Sequence, residues 1–384
     1  MSPPFSQSAA STRNATPSSG AASGPEAAQH QKSAFVICGN GNCKIHNLQI
    51  LRAIAALSVV YKHVANGLQC EPNFGNLGVD IFFVISGFII PYVAADSAFK
   101  FFSRRVIRIV PFYWSATVLV FGIAQFSGTL AKHIPAGAGG LFSSLFFIPH
   151  REAGVLMLPV MNLGWTLNYE MYFYTVFALS LIISKRAAPE ISIFVLTTIV
   201  IISKLFLKDP VVGFYGNEIV FEFMYGMVIY RTLTITPRAL PNAAQFLAWA
   251  AVLIAAAALT INDILGANDR WLSLGLPAFV LVGSCILLET VWSVFSKSKI
   301  MMLVGDSSYT LYLSHIYIVE LFVILAWPHL PHSMLTKIVA SASLIVITTV
   351  ISVAIHIGFE RPVMRALKSR LAALDASPLG AVQT

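Results

Sequence analysis

Leu48-Gln-Ile-Leu-Arg-Ala-Ile-Ala-Ala-Leu-Ser-Val-Val-Tyr-Lys-His-Val-Ala65 decides the fold of this 384-residue chain. As a helix it covers nearly the whole of the ~30 Å of hydrocarbon in a bilayer. Arg52 and His63 stand eleven residues apart in it, so they share one face about 16 Å apart along the axis. Charged and titratable groups inside a membrane helix mark function by default. The competing reading is that Arg52 only marks the cytoplasmic end and snorkels, while His63 is a hydrogen-bonded core residue.

Outward from that run, similar stretches recur at 77–95, 106–124, 165–183, 191–207, 216–230, 246–262, 272–292, 307–327 and 337–358. With 57% hydrophobic residues, 11% charged residues and a mean hydropathy of +0.75, the chain is far too apolar for an ordinary soluble domain. The expectation is all-α: a polytopic membrane protein of about ten transmembrane helices with both termini cytoplasmic. Short positively charged loops stay inside. Ten spans leave Lys32, Lys44, Lys100, Arg104, Arg105, Arg108, Lys185, Arg186, Arg231, Arg238, Lys297, Lys299, Arg361, Arg365, Lys368 and Arg370 inside. Only Lys132, Arg151, Lys204, Lys208, Arg270 and Lys337 fall outside. The net charge of +8 is therefore mostly topology, and no nucleic-acid partner is needed to explain it.

Residues 1–44 have the Ser, Ala, Pro, Gly and Gln composition of a disordered cytoplasmic tail. They lack the basic start and apolar core of a signal peptide, so the first span reads as an uncleaved insertion signal. Residues 363–384 read as a cytoplasmic C-terminal tail. Cys38, Cys43, Cys70 and Cys285 imply no disulfide framework. Cys38, Cys43 and His46 lack a fourth ligand, and no metal site is expected. The segment from Gln125 to Gly164 is the one long outside connection. Its apolar pieces, Leu141 to Ile148 and Val155 to Met161, are too short to cross and read as re-entrant or interfacial. An acceptor-binding role and ordinary packing both suit it.

Drawn on this topology, the polar groups fall into two layers. His63, Asp80 and Glu170 come out in the outer half, where Glu222 and Glu320 can approach them. A histidine with a carboxylate partner is what general-base catalysis uses, because the carboxylate fixes the tautomer and stabilises the imidazolium. Arg105 and Arg108, three residues apart, share a face at the start of the third helix, at the depth of Arg52. Guanidinium groups gathered at a mouth suit phosphates, which they hold bidentately. The alternative is that they are positive-inside determinants touching anionic headgroups. A phosphate-binding mouth one to two nanometres below a general base suits a long donor such as coenzyme A, with phosphates at one end and a thioester at the other.

The segments that carry these residues resemble the acyltransferase 3 family of membrane acyltransferases. They are Leu51-Arg-Ala-Ile-Ala-Ala-Leu-Ser-Val-Val-Tyr-Lys-His63, Gly78-Val-Asp-Ile-Phe-Phe-Val-Ile-Ser-Gly87, Arg104-Arg-Val-Ile-Arg-Ile-Val-Pro-Phe-Tyr-Trp114, Trp165-Thr-Leu-Asn-Tyr-Glu-Met-Tyr-Phe-Tyr174, Gly305-Asp-Ser-Ser-Tyr-Thr-Leu-Tyr-Leu-Ser-His315 and Glu360-Arg-Pro362. The resemblance covers residues 45–362 and is nearest to the exopolysaccharide-production type that acetylates succinoglycan-like polymers. It implies ten spans, an acyl-CoA donor, an essential His63, an essential Arg52 and the arginine pair Arg105 and Arg108.

The expected activity is O-acetyl transfer from acetyl-CoA to a sugar hydroxyl of an exopolysaccharide or other surface-glycan precursor, either polysaccharide or lipid-linked oligosaccharide, in the bacterial inner membrane. His63 would be the base, or in a variant would carry the acetyl group covalently before passing it outward, with Glu170 or Asp80 its carboxylate and Arg52, Arg105 and Arg108 the donor clamp. The rival from another class is a transporter or flippase of polysaccharide precursors; no internal repeat of the kind common in transporters is evident. Ser86 lacks a nucleophile-elbow context and reads as a small packing residue. His315 reads either as a second site residue or as a structural hydrogen-bond partner. Tyr309 and Trp165 read as interface anchors.

Overall fold

The computed structural model describes residues 45–94, 97–126, 137–152, 155–206, 209–236, 240–266 and 268–375. The N-terminal tail, with Cys38 and Cys43, lies outside the described residues. In chain order the elements are α1 (His46–Leu68), α2 (Leu77–Val93), α3 (Ala98–Phe126), α4 (Ala138–Leu145), β1 (His150–Glu152), β2 (Val155–Met157), α5 (Gly164–Ile183), α6 (Ala188–Phe206), α7 (Pro210–Tyr215) and α8 (Val220–Ile235). Then come α9 (Asn242–Leu265), a π turn (Trp271–Gly275), α10 (Leu276–Trp292), α11 (Lys299–Asp306), α12 (Ser308–Leu325), α13 (Met334–Ile355), a second π turn (His356–Glu360) and α14 (Arg361–Asp375). The fold is all-α apart from the antiparallel hairpin, in which Arg151 faces Leu156. A helix stands at each of the ten apolar stretches. By length and composition, seven helices of the described residues can cross a membrane, and α2 is a shorter apolar helix.

Two boundaries differ from the sequence expectation. Helix α3 begins at Ala98 and not near residue 106, so Arg104, Arg105 and Arg108 lie well inside the helix and not at its start. Phe101 is buried against Tyr174 and Phe177, and Arg105 lies over the rings of Phe101 and Tyr174 at 5.6 and 5.8 Å. Stacking of this kind lets a guanidinium occupy an apolar wall, which a hydropathy reading scores only as a break. At the other end, residues 361–375 form a helix that continues α13 through a π turn; residues 376–384 lie outside the described residues.

Helix α1 packs against α2, α10, α11, α12 and α13 and is the axis of the bundle. The exposed apolar residues lie on the outer helices, including Phe246, Leu247, Leu253 and Ile254 of α9 and Val346, Ile347 and Val350 of α13. Such a surface suits lipid, since a soluble protein rarely exposes so much contiguous apolar area. Helices α2 and α8 share the most extensive contact. Its seam is made by two glycines: a Cβ on Gly87 would lie 2.0 Å from the Phe223 carbonyl oxygen, and one on Gly226 would lie 2.2 Å from that of Val84. Small residues at helix contacts let backbones approach in this way.

Two helix starts lack a local side-chain cap and are served from a distance. The Glu289 carboxylate, on α10, accepts from the backbone N–H groups of His46 (2.8 Å) and Asn47 (2.7 Å) at the start of α1. His46 Nδ1 lies 3.1 Å from the same carboxylate. Asp263, near the end of α9, accepts from the backbone N–H groups of Gly75 (2.6 Å) and Leu77 (3.1 Å) at the start of α2. Orphan N–H groups at a helix start and the positive end of its dipole both favour a carboxylate there. The neighbours α9 and α10 thus fix the starts of the two helices that carry Arg52, His63, Asp80 and Ser86.

Candidate active site

A cleft opens between α1, α2, α3, α5 and α12. Its polar lining includes Arg52, Arg105, Arg108 and Glu170, with Ser86, Tyr174, Ser308, Tyr309 and Tyr312. Val79, Phe82, Phe83, Ile85, Ile89 and Ile90 of α2 supply the apolar wall. Helical spacing explains the convergence. Arg105 and Arg108 share a face of α3, Glu170 and Tyr174 are one turn apart on α5, and Ser308 and Tyr312 are one turn apart on α12.

Two of the charges in the cleft are held by hydrogen bonds. Arg52 is buried and its Nη2 donates to Ser308 Oγ at 2.9 Å. Glu170 Oε1 accepts from Ser86 Oγ at 3.2 Å and from the Tyr174 hydroxyl. The Nε of Arg105 is buried without a hydrogen-bond partner among the described residues. Three guanidiniums face one carboxylate in this lining, an excess of two positive charges between apolar walls. Such a cleft favours an anion with several acceptor oxygens.

His63 is half-buried and does not line the cleft. Its ring lies 5.0 Å from that of His315, tilted by 57°. His315 is fully buried. Its Nδ1 is 2.9 Å from the Leu311 carbonyl, which makes Nδ1 the protonated nitrogen and Nε2 the acceptor. That Nε2 is buried and has no partner among the described residues. Tyr312 joins the histidines to the cleft: it lines the cleft, its ring lies 6.2 Å from His315, and its hydroxyl accepts from Thr166 Oγ1 at 3.0 Å.

Asp80 is elsewhere. Both of its oxygens are taken by Arg270, whose Nε and Nη2 donate at 2.9 Å each. Burial opposes the Arg270 charge, but the adjacent Asp80 outweighs it and raises the guanidinium's pKa above its ordinary value. Glu222 is also fully buried, and neither of its oxygens has a partner among the described residues. A second buried set lies beside Arg108, where Glu360 Oε2 accepts from His356 Nδ1 at 2.7 Å and from Thr310 Oγ1. The π turn brings His356 and Glu360 onto one face, and such turns are frequent at functional sites.

The structure therefore brings Arg52, Arg105, Arg108 and Glu170 together, sets His63 against His315, and ties Asp80 to Arg270. His46 is engaged by Glu289, and no group of metal ligands occurs among the described residues. A family model described as an acyltransferase domain matches residues 45–357. The chain belongs to the acyltransferase 3 family. It is 31% identical over 317 residues to the exopolysaccharide production protein ExoZ of Rhizobium meliloti (strain 1021), covering 80% of this chain and 95% of that protein. It is also 30% identical over 221 residues to the putative peptidoglycan O-acetyltransferase YrhL of Bacillus subtilis (strain 168), covering 48% of this chain and 33% of that protein. No solved structure matches the chain.

As an acyltransferase 3 protein the chain is a multi-pass membrane enzyme that transfers acyl groups. Two polar partners escaped the sequence reading of this acyltransferase. Ser308, which holds Arg52, sits within the Gly305–His315 motif but carries no signal of its own. Arg270 lies 190 residues from Asp80, and only the fold joins them.

Proposed function

We propose that this acyltransferase transfers acetyl from acetyl-CoA to a sugar hydroxyl of an exopolysaccharide or related surface-glycan precursor, in the bacterial inner membrane, with ten spans and both termini cytoplasmic. The observation that carries the reading is the cleft itself: three guanidiniums against one carboxylate, with an unpartnered Arg105 Nε between apolar walls. Those groups fit a diphosphate at one end and a pantetheine arm along Phe82, Phe83 and Ile85. The printed name of the Rhizobium relative supports the glycan acceptor, and that of the Bacillus relative supports acetyl transfer to oxygen.

In this reading Arg52, Arg105 and Arg108 bind the donor phosphates, and Glu170, in the same lining, offsets part of their charge. His63 takes the proton of the attacking hydroxyl. The hydroxyl oxygen bonds to the thioester carbon, the carbon–sulfur bond breaks, and His63 returns the proton to the leaving thiolate. A positioned base of this kind is worth about 10²–10⁴ in rate. His315 takes the supporting place that a carboxylate holds in other histidine sites, because Asp80 is committed to Arg270 and Glu170 lines the arginine cleft.

The test is to compare O-acetylation of the cell's polysaccharide by NMR with and without the gene. Loss of acetyl signals on deletion supports the reading; unchanged acetylation, with polymer failing to reach the outside, would favour a precursor transporter instead.

A further inference from the structure

The hydroxyl groups that line the cleft differ in where their protons go. Ser86 and Tyr174 donate to Glu170, and Tyr309 donates to the Ile109 carbonyl at 2.8 Å. Ser308 holds Arg52 at the arginine end. Thr166 Oγ1 lies 3.0 Å from both the Leu163 carbonyl and the Tyr312 hydroxyl, and it has one proton to give. When that proton turns to Tyr312, the phenol's own proton is free to be donated into the cleft that Tyr312 lines.

Position singles out the same residue. On α12, Tyr312 stands one turn beyond Ser308 and three residues before His315, between the Arg52 anchor and the histidine pair. Its ring is 6.2 Å from that of His315, and Phe82 packs edge-on against it at 6.1 Å. Tyr312 is buried, so its hydroxyl is held in apolar surroundings where a hydrogen bond to a developing charge is strong.

We propose that Tyr312 is a further catalytic residue, whose hydroxyl donates a hydrogen bond to the thioester carbonyl oxygen of the acyl donor. This rests on the acyl-CoA reading given above. As the acceptor hydroxyl oxygen bonds to the thioester carbon, the carbonyl electron pair moves onto its oxygen, and Tyr312 stabilises that oxyanion without giving up its proton. The oxyanion then collapses, the carbon–oxygen double bond re-forms and the carbon–sulfur bond breaks. Such a donor acts chiefly in the transition state, so it supports turnover more than donor binding.

The experiment measures transfer of carbonyl-labelled acetyl from acetyl-CoA to glycan isolated from the gene-deleted strain, both lipid-linked and polymeric. It uses the full-length protein in vesicles, as wild type, Tyr312→Phe and Thr166→Val. Each protein is also titrated with S-ethyl-CoA, a thioether that keeps the donor's shape but has no carbonyl at the acyl position. Tyr312→Phe is expected to lower kcat by about 10²–10³, with KM for acetyl-CoA and affinity for S-ethyl-CoA within about twofold of wild type. Thr166→Val removes the bond to Tyr312 and keeps the phenol, so its loss should be smaller, about tenfold at most. The proposal is overturned by a Tyr312→Phe protein whose kcat stays within about threefold of wild type. It is overturned too if S-ethyl-CoA binding falls in step with turnover, or if both variants lose activity equally, since either result marks a packing role. Wild-type protein that labels no glycan from acetyl-CoA would instead overturn the donor reading itself, and this assignment with it.

Discussion

The imidazole rings of His63 and His315 lie 5.0 Å apart between centroids, on helices α1 and α12 that pack along one another. His315 Nδ1 is anchored to the Leu311 carbonyl and its Nε2 is buried without a partner among the described residues. A buried polar atom left unmatched is destabilising by about 1–3 kcal/mol, so its retention beside a half-buried histidine fits a working pair. His315→Asn is expected to lower kcat by at least about tenfold while KM for the acyl donor stays within about twofold, because the arginine cleft is untouched. It should also move the pH profile of kcat/KM. A proportional loss of folded protein with an unchanged profile would assign His315 a packing role only.

The arginines should behave differently. Arg52 donates to Ser308, and Arg105 stacks on Phe101 and Tyr174, so neither is replaceable by lysine, which has no planar fork. Arg52→Lys and Arg105→Lys are expected to raise KM for the donor by about tenfold or more, the range of one charge-assisted hydrogen bond. Donor titrations at saturating acceptor check this; unchanged KM in both variants contradicts a donor clamp.

The α2–α8 seam gives a stability prediction. A Cβ on Gly87 would stand 2.0 Å from the Phe223 carbonyl oxygen, and backbone cannot give way as a side chain can. Overpacking typically destabilises by about 1–3 kcal/mol, so Gly87→Ala should fall at or above that range. It is measured as a lower Tm in detergent and poor recovery of folded protein. Gly122→Ala, where a Cβ meets nothing within 4 Å, is the control and should match wild type.

How much of this was legible in the sequence follows from what hydropathy measures. The apolar runs located a helix at each of the ten stretches, since length and composition carry that signal on their own. The layer of each polar group and its rotation about the helix axis were less legible: Glu170, expected in the layer of His63 and Asp80, lines the cleft of Arg52, Arg105 and Arg108. Asp80 and His63 were expected to meet because they lie at similar depth, yet the structure turns Asp80 toward Arg270 and sets His63 on His315. Hydropathy starts the third span at residue 106, with Arg105 and Arg108 on one face at its start, because charge interrupts the apolar run before it. Inside the longer α3, Arg105 is accommodated by stacking on Phe101 and Tyr174, which no hydropathy window contains. The Glu289 and Asp263 caps join residues 186–243 positions apart, and only tertiary structure brings them together.

The Asp80–Arg270 pair is expected to support structure ahead of chemistry. Removing one partner of a buried ion pair is destabilising by about 3–5 kcal/mol, and the low end applies here because Arg270 is partly exposed. Arg270→Gln should therefore lower Tm, and Asp80→Asn combined with Arg270→Gln should recover part of the loss, because no buried charge is left uncompensated. Thermal unfolding of the single and double variants checks the coupling; strictly additive losses contradict it.

The most direct measurement of the central claim is acetyl transfer from carbonyl-labelled acetyl-CoA to the glycan acceptor, by wild-type and His63→Ala protein in sealed vesicles. The account predicts label in an ester on the glycan with wild type and a loss of about 10²–10⁴ with His63→Ala, while Tm remains near that of wild type. Equal labelling by the two proteins would contradict it.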